Sequence, residues 1–254
     1  MVLLRDDAIV LRRFEYGETS RIAHLLTRER GRISVLAKGA HREKSPFLGA
    51  LDHLNRIAVV YSHRPGREVQ ILTEAEVRDG HRRLHRDLAR FAAALYMAEL
   101  VAEAAREGEP APALFDLLGE SLEALATGKG DPASITLVFE LRFLSIIGVG
   151  PSFDACRGCG APLPRAGAAF LAPGEGGAVC ERCGAGVRVV GRVPVGTLRT
   201  ADRLARLRPA EALRVRLGTR LGRGLREAMD LYLAYHFERA PRARPWLGLG
   251  RGRA

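Results

Sequence analysis

The first eighty residues carry short apolar runs of the kind that form β-strands. Ile33, Val35 and Ala37 occupy alternate positions, and turn residues such as Gly17 and Gly31 separate neighbouring runs. Five runs recur at a spacing of roughly ten residues: 8–11, 22–27, 33–37, 57–61 and 69–73. This pattern predicts a small barrel or sandwich, and strands of this length suit an SH3-like barrel as well as an OB-fold.

The rest of the chain follows helical periodicity, with one interruption. Leu84, Leu88, Phe91 and Leu95 begin a series with apolar residues three to four positions apart. The predicted helices are 81–107, 114–126, 131–147, 195–207 and 210–239. The third begins at Asp131-Pro132, where proline suits the first helical turn. The pattern therefore predicts an α+β multidomain protein, with strands first and helices after them.

The interruption holds all four cysteines of the chain: Cys156, Cys159, Cys180 and Cys183. Two intervening residues let both sulfurs of a pair reach one ion from a tight turn, and two pairs complete a tetrahedron of thiolates. Four thiolates leave no open coordination position, so the spacing predicts one structural Zn²⁺ in a module over 153–190. Two disulfides or free buried thiols are the alternatives, but nothing in the sequence indicates an oxidising compartment.

The net charge of +11 is concentrated at one end of the chain. Residues 184–254 hold 16 Lys+Arg and 5 Asp+Glu, a net +11, whereas 1–80 carry +3 and 81–183 carry −3. Such an excess can hold a polyanion, for example nucleic acid. Because 37 of the 40 cationic residues are arginine, a general compositional bias is an equally good explanation.

Two of the three lysines lie in the loop between the third and fourth apolar runs. Lys38 and Lys44 flank Arg42 there. A mobile basic loop beside a barrel can grip phosphates while Phe47 or His41 offers a stacking surface. A solvated loop with incidental charge is the alternative, and we favour phosphate binding.

The last predicted helix carries Arg216, Arg220 and Arg223 at positions i, i+4 and i+7, above Leu217 and Leu221. The arginines could track phosphates, or they could form a solvated surface over the leucines. From the pattern alone we favour the solvated surface for most of them.

No catalytic motif is present in the sequence. It has no phosphate-binding glycine loop ending in Lys-Ser or Lys-Thr, no His-Glu-x-x-His and no Gly-x-Ser-x-Gly. This favours a binding protein without a small-molecule substrate. Asp6 and Asp7 interrupt what a signal peptide would need, and Glu140 and Arg142 interrupt the most apolar long stretch. We therefore expect a cytoplasmic protein that does not enter a membrane.

Several segments in combination resemble the RecO family of bacterial recombination mediators. They are 9–19 (IVLRRFEYGET), 26–31 (LTRERG), 37–40 (AKGA), 72–76 (LTEAE), 139–144 (FELRFL) and 232–236 (YLAYH). The similarity covers nearly the full length. It implies an N-terminal OB-fold (1–80), an all-helical domain (81–152 and 191–240), an inserted Cys₄ zinc-ribbon module (153–190) and a flexible basic tail (241–254).

The resemblance also implies a function without enzymatic turnover. Members bind single- and double-stranded DNA, anneal strands coated by single-strand-binding protein, and act with RecR to help load the RecA recombinase. We expect nucleoid association for such a protein. By position, the implied DNA-binding residues are Arg12, Arg13, Arg21, Lys38, Arg42 and Lys44. The family's usual Lys-Ser-Arg-type end is replaced here by PRARPW at 241–246, which leaves the role of the tail open.

The resemblance further implies that the OB-fold side meets RecR and that the helical domain receives the C-terminal tail of single-strand-binding protein. An acidic tail with an apolar end needs an apolar floor and a basic rim. Leu217 and Leu221 would supply the floor, and Arg216, Arg220 and Arg223 the rim. Two other classes stay open: a zinc-ribbon accessory subunit of a nucleic-acid enzyme, and a structural adaptor that contacts DNA little.

Overall fold

A computed structural model describes residues 2–43, 45–237 and 241–244 of the chain. It contains two compact units. The first runs to Gly128 and includes Ala243, and the second runs from Lys129 to Arg242. In the part of the chain that is described, no helix has the length and apolar character needed to cross a bilayer.

Five strands open the first unit. They are β1 (Val2–Tyr16), β2 (Ser20–Thr27), β3 (Gly31–Ala37), β4 (Arg56–His63) and β5 (Val69–Asp79). They form a closed barrel in the order β1-β2-β3-β5-β4, because β1 pairs with both β2 and β4. The β3–β5 pairing is parallel, and the other pairings are antiparallel. The five predicted strands are confirmed, and β1 is longer than its apolar run because polar residues extend it at both ends.

Alternation in the sequence decides which side of each strand faces the barrel core. Ile33, Val35 and Ala37 are buried, whereas Ser34 and Leu36 between them are half-buried on the outer side. The core cluster also takes in side chains from the connection between β3 and β4. Burial of this apolar surface is the main force that stabilises the barrel.

Two helices complete the first unit, α1 (Leu88–Ala104) and α2 (Pro112–Ala126). The predicted start of α1 at residue 81 is wrong. His81 has a φ of +42°, which a continuing right-handed helix does not allow. Asp87 is extended and caps α1 by accepting a hydrogen bond from the Arg90 backbone N–H, so the helix begins at Leu88.

The second unit holds five helices among its described residues. They are α3 (Pro132–Ile146), α4 (Glu181–Gly184), α5 (Val195–Ala205), α6 (Pro209–Ala212) and α7 (Thr219–His236). The helix α3 begins where the sequence predicts, and the Asp131 side chain caps it by accepting hydrogen bonds from the backbone N–H groups of Ala133 and Ser134. The predicted continuous helix over 210–239 is wrong in its first part, because residues 213–218 form a turn and irregular backbone between α6 and α7. The backbone of Leu213 lies there against Gly130, where an added Cβ would come within 2.8 Å of the Leu213 Cα.

The cysteine segment forms a small three-stranded sheet within the second unit. Its strands are β6 (Ala168–Ala172), β7 (Gly177–Val179) and β8 (Gly191–Pro194), in the order β7-β6-β8. A strand-rich N-terminal domain followed by a helical domain is confirmed. The finer boundaries at 80/81, 152/153, 190/191 and 240/241 stay a prediction. Most of the predicted tail, from Pro245 onward, lies outside the described residues.

Candidate functional site

The four cysteines come together in one cluster. Their sulfur atoms all lie within 4.8 Å of one another, and no disulfide joins them. The sulfurs of Cys159 and Cys180, from different pairs, are 4.0 Å apart. A tetrahedron with metal–sulfur distances of ~2.3 Å has edges of ~3.8 Å. The spacing of the sulfurs therefore fits a single tetrahedral metal ion, and the predicted convergence of both pairs is confirmed.

Two glycines of the first cysteine turn shape the cluster. Gly160 takes a φ of +73° and donates its N–H to the carbonyl of Cys156 at 2.8 Å, closing the first turn. Gly158 lies directly against the second pair, because a Cβ there would be 2.9 Å from the Cys183 Cβ and 3.0 Å from its sulfur. A larger residue at 158 would push the two pairs apart.

The electrostatics of the cluster favour a bound cation. Burial raises the pKa of the Cys156 thiol, but backbone N–H groups of Cys180, Cys159 and Gly158 oppose it and lower the pKa to about 6. Hydrogen bonding with the sulfurs of Cys180 and Cys159 raises the pKa of Cys183 to about 12. The Cys156 thiol thus ionises readily while the Cys183 thiol keeps its proton, because four neighbouring thiolates would repel one another. A divalent cation would remove that conflict, so the donor set fits a metal such as zinc.

The proposed DNA-binding residues of the barrel fall into two groups. Arg12 lies on the outer side of β1, opposite His24 of β2. Lys38 directly follows β3 and is exposed, as is Arg42 beyond it. None of these three cations forms an ion pair with the residues that the structure describes.

Arg13 and Arg21 form the second group, and both are paired. Arg13 forms an ion pair with Asp52, and the Arg21 Nε lies 3.1 Å from a carboxylate oxygen of Glu15. Desolvation is the largest single influence on the pKa of Glu15 and raises it, but hydrogen bonds from His41 and Arg21 together with their charges outweigh desolvation and lower the pKa. The charges of Arg13 and Arg21 are therefore largely engaged within the barrel. Lys44, the sixth residue of the set, lies outside the described residues.

The predicted stacking surface in the basic loop is wrong for Phe47. That side chain is 5% exposed and belongs to the barrel core, because the loop folds inward there to cover the end of the barrel. The His41 ring contacts the Glu15 carboxylate. Among the described strands of the barrel, Phe14 and Tyr16 of β1 are the exposed aromatic side chains instead. The alternation of Arg12, Phe14 and Tyr16 could have indicated that these side chains share one face of a strand. These positions were missed because the predicted strand ended with the apolar run at residue 11.

An open groove of about 730 Å³ lies in the second unit, beside the starts of α5 and α7. Three residues of the predicted partner-binding set, Arg220, Leu221 and Arg223, line it together with the acidic Glu227. Arg216 and Leu217 do not line it. They precede α7, and Leu217 lies against Gly222, where an added Cβ would be 3.5 Å away. The predicted set is therefore divided by the break between α6 and α7.

Comparison with known proteins gives a family for the whole chain. The family models described as Recombination protein O N terminal and Recombination protein O C terminal match residues 1–81 and 85–245. The protein called DNA repair protein RecO in Anaeromyxobacter sp. (strain K) is 38% identical over 239 residues, 94% of this chain and 93% of the relative.

More distant relatives carry the same name. The protein from Myxococcus xanthus (strain DK1622) is 36% identical over 242 residues, 92% of each chain. The protein from Moorella thermoacetica is 30% identical over 245 residues, 96% of this chain and 90% of the relative. The two domains and these similarities define a protein of DNA repair and recombination. The chain belongs to the RecO family.

Proposed function

We propose that this protein is a non-enzymatic recombination mediator that binds single- and double-stranded DNA through its barrel. The observation that carries the proposal is that Arg12, Lys38 and Arg42, on and beside β1 and β3, form no ion pair with any residue that the structure describes. Cations without a neighbouring carboxylate remain available to phosphates. Engagement of bacterial DNA in this way would take place at the nucleoid, in the cytoplasm.

The strand order supports assignment of the barrel as an OB-fold. Its order β1-β2-β3-β5-β4, with β3 parallel to β5, gives a five-stranded closed sheet. OB-folds bind oligonucleotides on the face of strands 2 and 3. Family membership supports the same choice over a structural adaptor or an accessory subunit of an enzyme.

A salt titration tests DNA binding. The triple variant Arg12→Ala, Lys38→Ala, Arg42→Ala should weaken binding to a single-stranded oligonucleotide. It should also flatten the plot of log K against log salt by up to about two units, since each phosphate contact contributes ~0.7. The matched control is Arg82→Ala, Arg83→Ala, Arg86→Ala, which removes three exposed cations outside the strands. If the slope of log K against log salt is unchanged in the first triple variant, DNA binds somewhere other than these barrel residues.

We further propose that the cysteine cluster binds one structural zinc ion. The support is the all-sulfur donor set and the 4.8 Å spread of its atoms, which suit zinc and leave no coordination position for catalysis. Metal analysis of freshly purified, reduced protein should give one zinc per chain. Well under one equivalent, or another metal at one equivalent, would refute zinc.

We propose that the groove of the second unit binds the acidic C-terminal tail of single-strand-binding protein. We propose that the side of the barrel binds RecR. Through these two partners the protein would anneal complementary strands and help to load RecA. Arg220 and Arg223 beside Leu221 give the groove the mixed character that such a tail requires. Arg220→Glu with Arg223→Glu should abolish binding of an acidic tail peptide but keep binding of naked oligonucleotide. Arg216→Glu, outside the groove, is the control. Loss of both activities together would argue against a dedicated peptide site.

A further inference from the structure

The first strand exposes two aromatic rings on one side of the barrel. Phe14 is 46% exposed and Tyr16 is 56% exposed. Residues two apart in a strand point to the same face, with their Cα atoms about 7 Å apart. Their partners across the sheet are Ile22 and Ser20, so neither ring lies over the barrel core.

An apolar row continues from Phe14 across the sheet. Phe14 is opposite Ile22, Ile22 is opposite Leu36, and Leu36 is opposite Ile71. The three aliphatic side chains are half-buried. The ring of Phe14 also meets the His24 ring edge-on, with centroids 5.1 Å apart. These contacts fix Phe14 in place while one of its faces stays accessible.

Cations border this row. Arg12 lies opposite His24 on the same face, and Arg32 is near enough that burial first, and then the charges of Arg32 and Arg12, lower the pKa of His24. Glu107 is the acidic group that opposes them. Lys38 is exposed and directly follows β3, whose outer side carries Ser34 and Leu36. The face is thus apolar at its centre, with Arg12 at one end and Lys38 just beyond the end of β3.

Single-stranded nucleic acid is the partner whose chemistry matches this arrangement. Unpaired bases stack on aromatic rings without regard to sequence, and the phosphates beside them contact cations. A duplex hides the faces of its bases within the stack and offers mainly phosphates to such a surface.

We propose that Phe14 and Tyr16 form a base-stacking site that makes the barrel prefer single-stranded to double-stranded nucleic acid. The proposal rests on the DNA-binding function proposed above, and it adds the residues that distinguish the two forms. Arg12 and Lys38 hold either form through its phosphates, whereas the two rings contribute only when bases are unpaired.

Substitution of the rings separates the two contributions. Phe14→Ala and Tyr16→Ala should each weaken binding of a single-stranded oligonucleotide by roughly 5- to 100-fold, with no change in salt slope. Duplex affinity should stay within about twofold. Phe14→Tyr should retain binding and Phe14→Leu should lose it, since leucine keeps the apolar contact but not the ring. Val77→Ala, at a 44% exposed position on β5, is the matched control and should change neither affinity.

A second measurement reports stacking itself. An oligonucleotide containing 2-aminopurine should change fluorescence on binding the unmodified protein, and this change should disappear with the double alanine variant at saturating protein. The proposal is overturned if single-stranded affinity stays within twofold, or if duplex affinity falls in parallel. It is also overturned if the variants instead change self-association, which would make the face an interface between copies. Failure of the unmodified protein to bind any oligonucleotide would refute the DNA-binding function itself, and that result is distinct from these.

Discussion

The cysteine module and the barrel keep their structure by different means. In the barrel, Leu25, Val35 and Tyr61 are completely buried within one apolar cluster. The module is built from short elements, of which the five-residue β6 is the longest strand, and its apolar core consists of a few side chains such as Phe153, Leu171 and Val179 beside the four sulfurs. A core this small needs another source of stability.

In the barrel, different residues therefore serve stability and binding. In the module, the same residues serve both. The barrel can lose outer side chains such as Arg12 or Phe14 without losing its core, so its surface is free to specialise. In the module, the proposed metal ligands are themselves the main source of order. Substitutions there should therefore be read as changes of stability, and those on the outer barrel face as changes of binding.

Loss of one cysteine should have the largest effect. Cys180→Ser should abolish metal retention and the protection of residues 153–190 from hydrogen exchange, because structural zinc sites supply an apparent ~10–16 kcal/mol in isolated fingers. The strands of the barrel should keep their protection. Metal analysis and hydrogen exchange mass spectrometry measure both. Glu181→Ala, the neighbouring exposed position, is the control, and full protection in metal-free Cys180→Ser would erase the contrast between the two regions.

A core truncation in the barrel should destabilise the first unit and leave the cysteine module intact, the reverse of the cysteine substitution. Leu25→Ala should lower the free energy of unfolding of the first unit by about 2–5 kcal/mol, through lost burial and a residual cavity. The cysteine module should retain its metal. Denaturant unfolding followed by hydrogen exchange measures the first effect and metal analysis the second. Leu36→Ala, half-buried on the outer side of the same sheet, should cost less, and an equal cost would show that the two sides of the sheet are packed alike.

Sequence patterns were most informative where local spacing decides the structure. The two cysteine pairs, the helix start at Asp131-Pro132 and the alternation of 33–37 are all short-range features, and each corresponds to the element expected of it. Tertiary packing decided the features that sequence missed. In the break before α7, Leu213 packs against Gly130, a contact that helical periodicity cannot reveal.

Charge was the least informative feature of the sequence, because arginine is abundant throughout the chain. Arg12 and Arg13 are adjacent, yet Arg13 pairs with Asp52 while Arg12 has no ion pair with any described residue. Only the fold brings Asp52 to that position, from 39 residues away. The groove shows the same dependence, since Arg220 and Arg223 line it while Arg216 lies outside. The net charge therefore indicates a polyanion as the class of partner, but it does not show which arginines bind it.

Acidification should distinguish the two regions with a smaller effect. The side chain of His81 is 5% exposed. Desolvation lowers its pKa against the charges of Asp79 and Glu123, and Arg56 and His85 add weakly to the lowering. Its folded pKa lies below the unfolded value of about 6.5, so only the unfolded state gains a proton just below that pH. Stability of the first unit should therefore fall as pH drops below about 6.5 and level off beneath the folded pKa.

His81→Asn should reduce this acid-dependent loss, since asparagine tolerates the φ of +42° but does not titrate. The measurement is the free energy of unfolding of the first unit against pH, with His85→Asn, an exposed site, as the control. Part of the slope should remain, because burial also lowers the pKa of His24 and His53 in the same unit. The cysteine module has no histidine between residues 153 and 190. Its response to acid should come from protonation of the thiolates that hold the proposed metal and, at lower pH, of Asp154, whose pKa is lowered by hydrogen bonds from Ser152 and from backbone N–H groups. The two regions would not be independent if the module lost its hydrogen-exchange protection over the same pH range in which the first unit loses stability, and if His81→Asn restored that protection.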